Sequence, residues 1–349
     1  MSTLKFNDSA SRSHRWGIVL SGGNGMRLRE WVHSRRGDYL PKQYVNFIDQ
    51  RSMLEHTWRR AEWLIPEQQL ITVIAKEHLQ FAEAARQVAS RAPESIIVQP
   101  ENKDTAAGIL LALMHLDKRD PAAVVTLFPA HHLIVEEDEF MRHIDHGFAV
   151  VESDVSRAVL LGTQPDEPDP QYDYILFGAQ TDDRDSDGPT NIEMFVEKPS
   201  AKVARMMMRK GALWNTLILI ITCKSLLRAI KLAAPGLYRA FEPIRDAIGT
   251  AAEQRVTERV YQTSPSVDFS KRVLADLPFA QRRGLLVLPV RGVTWCEWAT
   301  PDRLPSSLPM DAAASEQTAR PFPDDQQVAG SYNLGTYNNL PLNRLRAVK

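Results

Sequence analysis

The chain has only two cysteines in 349 residues, Cys223 and Cys296. Two thiols cannot staple a core of this size, so folding has to rest on apolar burial. Cys223 lies in an apolar run and Cys296 follows Trp295, and both are expected to be buried and reduced. A charge surplus is also missing. Lys plus Arg total 42 against 43 for Asp plus Glu, a formal net charge of −1. A protein that coats a nucleic-acid backbone needs a clear basic excess, so no nucleic-acid partner is expected. An anionic small molecule stays open if the positive side chains gather in one pocket. Long hydrophobic runs are absent too. The longest, at 217–221, falls far short of the roughly 20 residues that cross a bilayer, so no membrane partner is expected. The N-terminal stretch 1–15 is polar and mixed, without the apolar centre of a secretory leader. A soluble, cytoplasmic protein is the expectation.

What is present is an alternation of apolar runs and helix-like stretches. Strands are expected at 16–21, 70–75, 95–99, 122–128 and 158–162. The run at 122–128 is very apolar, as a central strand would be. Helices are expected at 52–64, 78–88, 105–115 and 139–151. This order predicts an α/β fold, Rossmann-like, with a mixed but mostly parallel sheet flanked by helices. Beyond 162 the pattern changes. Short strands at 174–178 and 192–195 flank a polar insert at 182–188. A helix at 201–211 ends on Gly211, a strand follows at 217–222, and a helix at 224–233 stops before Pro235. A late strand is expected at 285–290. Prolines at 301, 305, 309, 321 and 323 then end the periodicity. The expected division is a flexible N-terminus at 1–13, one domain at 14–308 and a proline-containing tail at 309–349. No internal repeat is visible.

The first chemically informative stretch is Ser21-Gly22-Gly23-Asn24-Gly25-Met26-Arg27-Leu28. A glycine turn after a strand lets backbone N–H groups approach a phosphate closely. Leu28 stands where a dinucleotide-binding turn needs its third glycine. The Gly-Lys-Ser/Thr of a P-loop is absent. What remains is Gly-Gly-x-Gly, Arg27, and Pro41-Lys42-Gln43 downstream. Arg27 offers a planar fork and Lys42 a point charge, both suited to phosphates. A tight turn with two solvated bases is the plain alternative.

SGGNGMRL followed by PKQY resembles the GG-x-G-T-R-L…PKQ signature of the sugar-1-phosphate nucleotidylyltransferases, most closely the mannose-1-phosphate guanylyltransferase branch. The resemblance continues in the right order through QPENKDTAAGI (99–109), LFPAHHLI (127–134), FVEKPS (195–200), ALWNT (212–216), VDFSK (267–271) and VTWCEW (293–298). It spans about 14–305. It implies the nucleotide-diphospho-sugar transferase fold and transfer of a nucleoside monophosphate, GMP from GTP, to mannose 1-phosphate. The products would be pyrophosphate and GDP-mannose, a building block for polysaccharides. Such a reaction needs two anions held in line and their charge neutralised. By resemblance, Gly22, Gly23 and Gly25 wrap the nucleotide, and Arg27 and Lys42 hold its phosphates and carry the catalytic role. Gln99 and Lys103 lie near the base or ribose. Asp173, Glu197 and Asn215 line the sugar, and Lys198 pairs with the sugar phosphate. A homo-oligomer stays open.

Several positions depart from the family pattern. His131, in Pro129-Ala130-His131-His132, stands where a metal-binding aspartate is expected, and Glu297 replaces the second aspartate. The resemblance implies Mg²⁺, but an imidazole is a softer ligand that favours Mn²⁺ or Zn²⁺. A site without metal is the other outcome. Asp173 replaces a glycine near the sugar, where its charge would oppose a sugar phosphate. Three readings therefore stand: a working transferase with an altered metal site, a silent relative that binds without turnover, and an enzyme for another sugar or base.

Overall fold

A computed structural model describes residues 11–47, 49–178, 188–275 and 284–298. Residues 1–10, nearly all of the insert expected at 182–188, and the tail expected at 309–349 lie outside the described residues.

The first four strands are β1 (Arg15–Ser21), β2 (Leu70–Ala75), β3 (Ile96–Gln99) and β4 (Val124–Pro129). They pair in parallel in the order β3-β2-β1-β4. Every residue of β2 and β4 is buried, because helices cover both faces of the sheet. The helices of this half are α1 (Arg29–Arg36), α2 (Met53–Ala61), α3 (Ala82–Ala89) and α4 (Asp104–Arg119). A reciprocal cap starts α2. Ser52 Oγ accepts the Glu55 N–H at 3.2 Å, and the Glu55 carboxylate accepts the Ser52 N–H at 2.6 Å. The helix expected over 78–88 is interrupted. A 3₁₀ segment, Lys76–Gln80, comes first, and Phe81 then takes extended backbone before α3. The break leaves His78 buried under the glycine turn.

The second half adds β5 (His132–Ile134), α5 (Glu137–Ser153), β6 (Ala158–Thr163), β7 (Tyr174–Phe177), β8 (Thr190–Val196), α6 (Ala201–Arg209) and β9 (Leu213–Thr222). Then come α7 (Cys223–Ala233), α8 (Pro235–Ala247), α9 (Glu253–Thr263), β10 (Leu285–Val290) and β11 (Trp295–Glu297). The sheet continues β4-β9-β6-β10-β8-β7. β9 runs antiparallel to both β4 and β6, while β10 is parallel to β6. The fold is therefore mixed α/β, with its parallel part concentrated in the first half. α8 and α9 are not expected from the sequence pattern, where Pro235 and Pro243 interrupt it. Pro235 sits in the first turn of α8, where a missing N–H costs nothing.

The main core forms around α4 and the strands beneath it, with Ile109, Leu110, Leu113, Ile18, Val125 and Leu219 essentially inaccessible. Each such side chain contributes about 1.5–3 kcal/mol through burial. Cys223 is buried as expected, but Cys296 is only half-buried, because it lies in a two-stranded ribbon rather than in the sheet. That ribbon pairs β5 with β11, Glu297 opposite His132. Among the described residues, no helix is long and apolar enough to cross a membrane.

Candidate functional site

The glycine turn follows β1 and is held from below. Gln43 Nε2 donates to the carbonyls of Ser21 at 2.9 Å and Gly23 at 2.8 Å. Gln99 Nε2 donates to the Gly22 carbonyl at 3.4 Å. A Cβ on Gly22 would lie 2.3 Å from that same Nε2, so a side chain there displaces Gln99. Gly25 has φ +60°, a conformation that favours glycine. The PKQ segment thus has two tasks: Gln43 braces the turn while Lys42 faces outward.

Two cavities open where β1, β3 and β4 end. One, of about 560 Å³, is lined by Gly22, Gly23, Gln99, Asn102 and Asp104. The other, of about 360 Å³, is lined by Arg27, Gln171, Asp173, Lys198, Asn215, Asp268, Ser270 and Glu297. Gly25, Lys42, Thr105, Pro129, His131 and Leu217 belong to both walls. A ligand in one cavity therefore reaches a ligand in the other across these six residues. The carboxyl ends of parallel strands are the usual binding crevice of such sheets.

Among the described residues, three non-glycine positions have positive φ: Asp104 at 65°, Lys198 at 36° and Leu217 at 59°. Each lines one or both cavities. Backbone strain of this kind costs about 1–3 kcal/mol and gathers at functional sites. Leu217 is held in place by its N–H, which donates to Asn215 Oδ1 at 2.9 Å.

The charge in the smaller cavity is mixed. Arg27, Lys42 and Lys198 face it together with Asp173, Asp268 and Glu297. Burial pushes the Asp173 carboxyl up to about 6, against hydrogen bonds from Asn215 and the Lys198 backbone. Those bonds are 3.4 Å from Asn215 Nδ2 and 3.2 Å from the Lys198 N–H. Burial outweighs those bonds, so the surroundings on balance disfavour the Asp173 charge.

His131 and Glu297 point at each other, with Nε2 to Oε1 at 3.4 Å. Burial opposes ionisation of Glu297, but the His131 hydrogen bond, with Lys42 nearby, holds the carboxyl well below its ordinary range. Burial, with Lys42 adding, holds the His131 imidazole below its ordinary value. The pair is therefore a neutral imidazole donating to a carboxylate. Lys42 Nζ donates to the Trp298 carbonyl beside it. With the ring proton moved to Nδ1, the freed Nε2 and the Glu297 carboxylate, both on the cavity wall, would form a donor set for a borderline divalent ion with phosphate oxygens as further ligands. The set does not suit a hard ion that wants oxygen throughout. Among the described residues, no cluster of three metal-type side chains exists.

Most of the expected site residues therefore come together: Gly22, Gly23, Gly25, Arg27, Lys42, Gln99, His131, Asp173, Lys198, Asn215 and Glu297. Two do not. Lys103 is in neither lining; its ammonium pairs with Glu101 at 3.4 Å. Glu197 is also outside both and lies 3.7 Å from the Lys198 ammonium. Both follow β8 in a bend, where Lys198 takes positive φ, and of the two only Lys198 borders the smaller cavity. Asn215 is buried and bonded within the fold, yet still borders the cavity. Asp268 and Gln171 go unassigned in the sequence reading. Asp268 sits in the VDFSK stretch, which signals a site without saying what the carboxylate does.

A model of the nucleotidyl transferase family matches residues 16–250. The chain belongs to that family. Among its relatives, the xanthan biosynthesis protein XanB of Xanthomonas campestris is 28% identical over 255 residues, which covers 71% of this chain and 51% of that one. A mannose-1-phosphate guanylyltransferase of Escherichia coli is 26% identical over 259 residues, 72% of this chain and 54% of that one. The chain spans about half the length of the curated relatives it matches. Among solved structures, one described as mannose-1-phosphate geranyltransferase from Thermus thermophilus superposes with a TM-score of 0.66 at 23% identity, covering 82% of this chain and 76% of that one. A Helicobacter pylori mannose-6-phosphate isomerase structure gives 0.61 at 18% identity, covering 81% and 100%. At such identities the structures show a likeness of fold alone.

Proposed function

We propose that the protein transfers GMP from GTP to mannose 1-phosphate, releasing pyrophosphate, and that it does so as a cytoplasmic enzyme on small-molecule substrates. The larger cavity takes the nucleotide against the glycine turn and Gln99. The smaller one takes the sugar phosphate, with Lys198 as its cation. The observation that carries the reading is the wall the two cavities share. Lys42, Gly25 and the first turn of α4 at Thr105 meet there.

In the reaction, a sugar-phosphate oxygen forms a bond to the α-phosphorus, and the bond to the pyrophosphate oxygen breaks. Little covalent help is needed; positioning and charge do most of it. Lys42 lies between the two anions and offsets their repulsion. Arg27, held at 3.3 Å by Gln171 Oε1, adds a fork at the outer rim. The start of α4 contributes its dipole to the same place. His131 and Glu297 are the residues that would hold a divalent ion. When bound, the ion supplies positive charge to the phosphate oxygens.

The test uses purified full-length protein with GTP, mannose 1-phosphate and Mg²⁺, Mn²⁺ or Zn²⁺. Pyrophosphate and GDP-mannose are the expected products. Other nucleotides and sugar 1-phosphates in the same assay find a different pair if there is one. Release of no pyrophosphate from any combination refutes catalysis. Thermal stabilisation by GTP without turnover would then identify a silent binder.

A further inference from the structure

A buried polar relay runs beneath the glycine turn. Tyr44 and His78 are each 1% exposed. Tyr44 Oη lies 3.1 Å from His78 Nδ1, and His78 Nε2 lies 3.2 Å from Asn24 Oδ1. An amide oxygen only accepts, so Nε2 carries the ring proton and Nδ1 takes the Tyr44 hydroxyl. Burial, against a small opposing effect of Glu77, pushes the His78 imidazole down to about 4, so the ring is neutral and this pattern holds at neutral pH. The two rings meet edge to face, with centroids 5.5 Å apart.

Both ends of the relay lead to the site. Tyr44 closes the short turn Lys42–Tyr44, which carries Lys42 into the shared wall and Gln43 under the glycine turn. Asn24 sits between Gly23 and Gly25, and it is absent from both cavity linings while those glycines are present. Its side chain points back into the scaffold. A buried imidazole costs free energy that an apolar residue of similar shape would not. A fully bonded buried network repays that cost by enforcing one arrangement. Here the arrangement enforced is that of a turn rich in glycine, which has little preference of its own.

We propose that His78 is a positioning residue: it ties Asn24 of the glycine turn to the Tyr44 end of the Lys42 turn, so that both meet the nucleotide phosphates as one rigid clamp. The proposal rests on the larger cavity being the nucleotide site. It predicts a selective loss. His78→Phe, which keeps the ring and removes both bonds, should raise the GTP KM and the calorimetric GTP Kd about tenfold. The mannose 1-phosphate KM should change less than twofold. His78→Gln keeps an N–H donor toward Asn24 and should recover GTP affinity to within about threefold of wild type. Asn24→Ala cuts the same link from the loop side and should match His78→Phe, which covers the case where that variant does not fold. Nitrogen-15 spectra of the histidines should show His78 as the Nε2-protonated tautomer at pH 7. Folded His78→Phe and Asn24→Ala proteins with wild-type GTP affinity overturn the proposal alone. Equal losses for both substrates overturn it as well, since they mark general destabilisation. Wild-type protein that binds no nucleotide overturns the site reading and the proposal with it.

Discussion

Replacing Asp173 by Asn should flatten the pH dependence of stability between about pH 4 and 7. The carboxyl is half-buried beside Asn215 and the Lys198 backbone. Burial raises it from an ordinary 3.8 to about 6. The folded protein therefore binds this proton more tightly than the unfolded chain does. The resulting stabilisation is complete below about pH 3.8 and is lost as pH rises through about 6. A difference of about 2 pH units corresponds to about 3 kcal/mol. Solvent screening at a half-buried site reduces that to about 2 kcal/mol. At about 2–4 °C per kcal/mol for a domain of this size, wild type should lose about 4–8 °C relative to Asp173→Asn across that pH range. Thermal and urea unfolding of both proteins at half-unit steps supplies the comparison. Other titrating groups cancel in the difference. A lost bond to Asn215 shifts the whole variant curve, so the slope carries the test. Parallel curves, or a wild type that gains on the variant as pH rises, would refute the electrostatic account of this pocket.

The metal site makes a second prediction: with nucleotide present, wild type should bind Mn²⁺ more tightly than Mg²⁺, and His131→Asp should shift that ratio at least tenfold toward Mg²⁺ by calorimetric titration. An unchanged ratio would remove His131 from the ligand set. Gly22→Ala should raise the GTP KM about tenfold, because its Cβ meets Gln99 Nε2 at 2.3 Å. Wild-type kinetics in that variant would mean the Gln99 amide is not needed where it stands. Arg60 is 2% exposed and pairs with Glu137 at 2.9 Å. Arg60→Leu strands that carboxylate and should cost about 3 kcal/mol in urea unfolding while leaving the GTP KM unchanged.

Strands β1, β2, β4 and β10 are legible in the sequence to within a residue or two, because each is a predominantly apolar run buried on both faces. The ribbon of β5 and β11 is not. Each strand has three residues, too few for any period to register, yet their pairing brings His131 to Glu297. The two prolines hide α8, and a 3₁₀ segment followed by extended Phe81 breaks the helix that the 78–88 pattern suggests. The glycine turn, Arg27 and Lys42 stand out as residue types that suit phosphate. Lys103 and Glu197 satisfy the same chemistry on paper, and only the direction of their side chains removes them from the cavities.

The net charge of −1 shows the same division. Composition alone excludes a general polyanion binder, since overall charge needs no coordinates. Local order likewise determines the α/β alternation, since hydrophobic periodicity is a property of neighbours along the chain. How the charges are distributed is another matter. Three cations and three carboxylates drawn from positions 27 to 297 face one cavity, and a neutral histidine pairs with one of those acids. Tertiary structure alone decides that arrangement, because electrostatic interaction and metal-donor geometry depend on distances in space, and residues far apart in sequence acquire those distances only when the chain has folded.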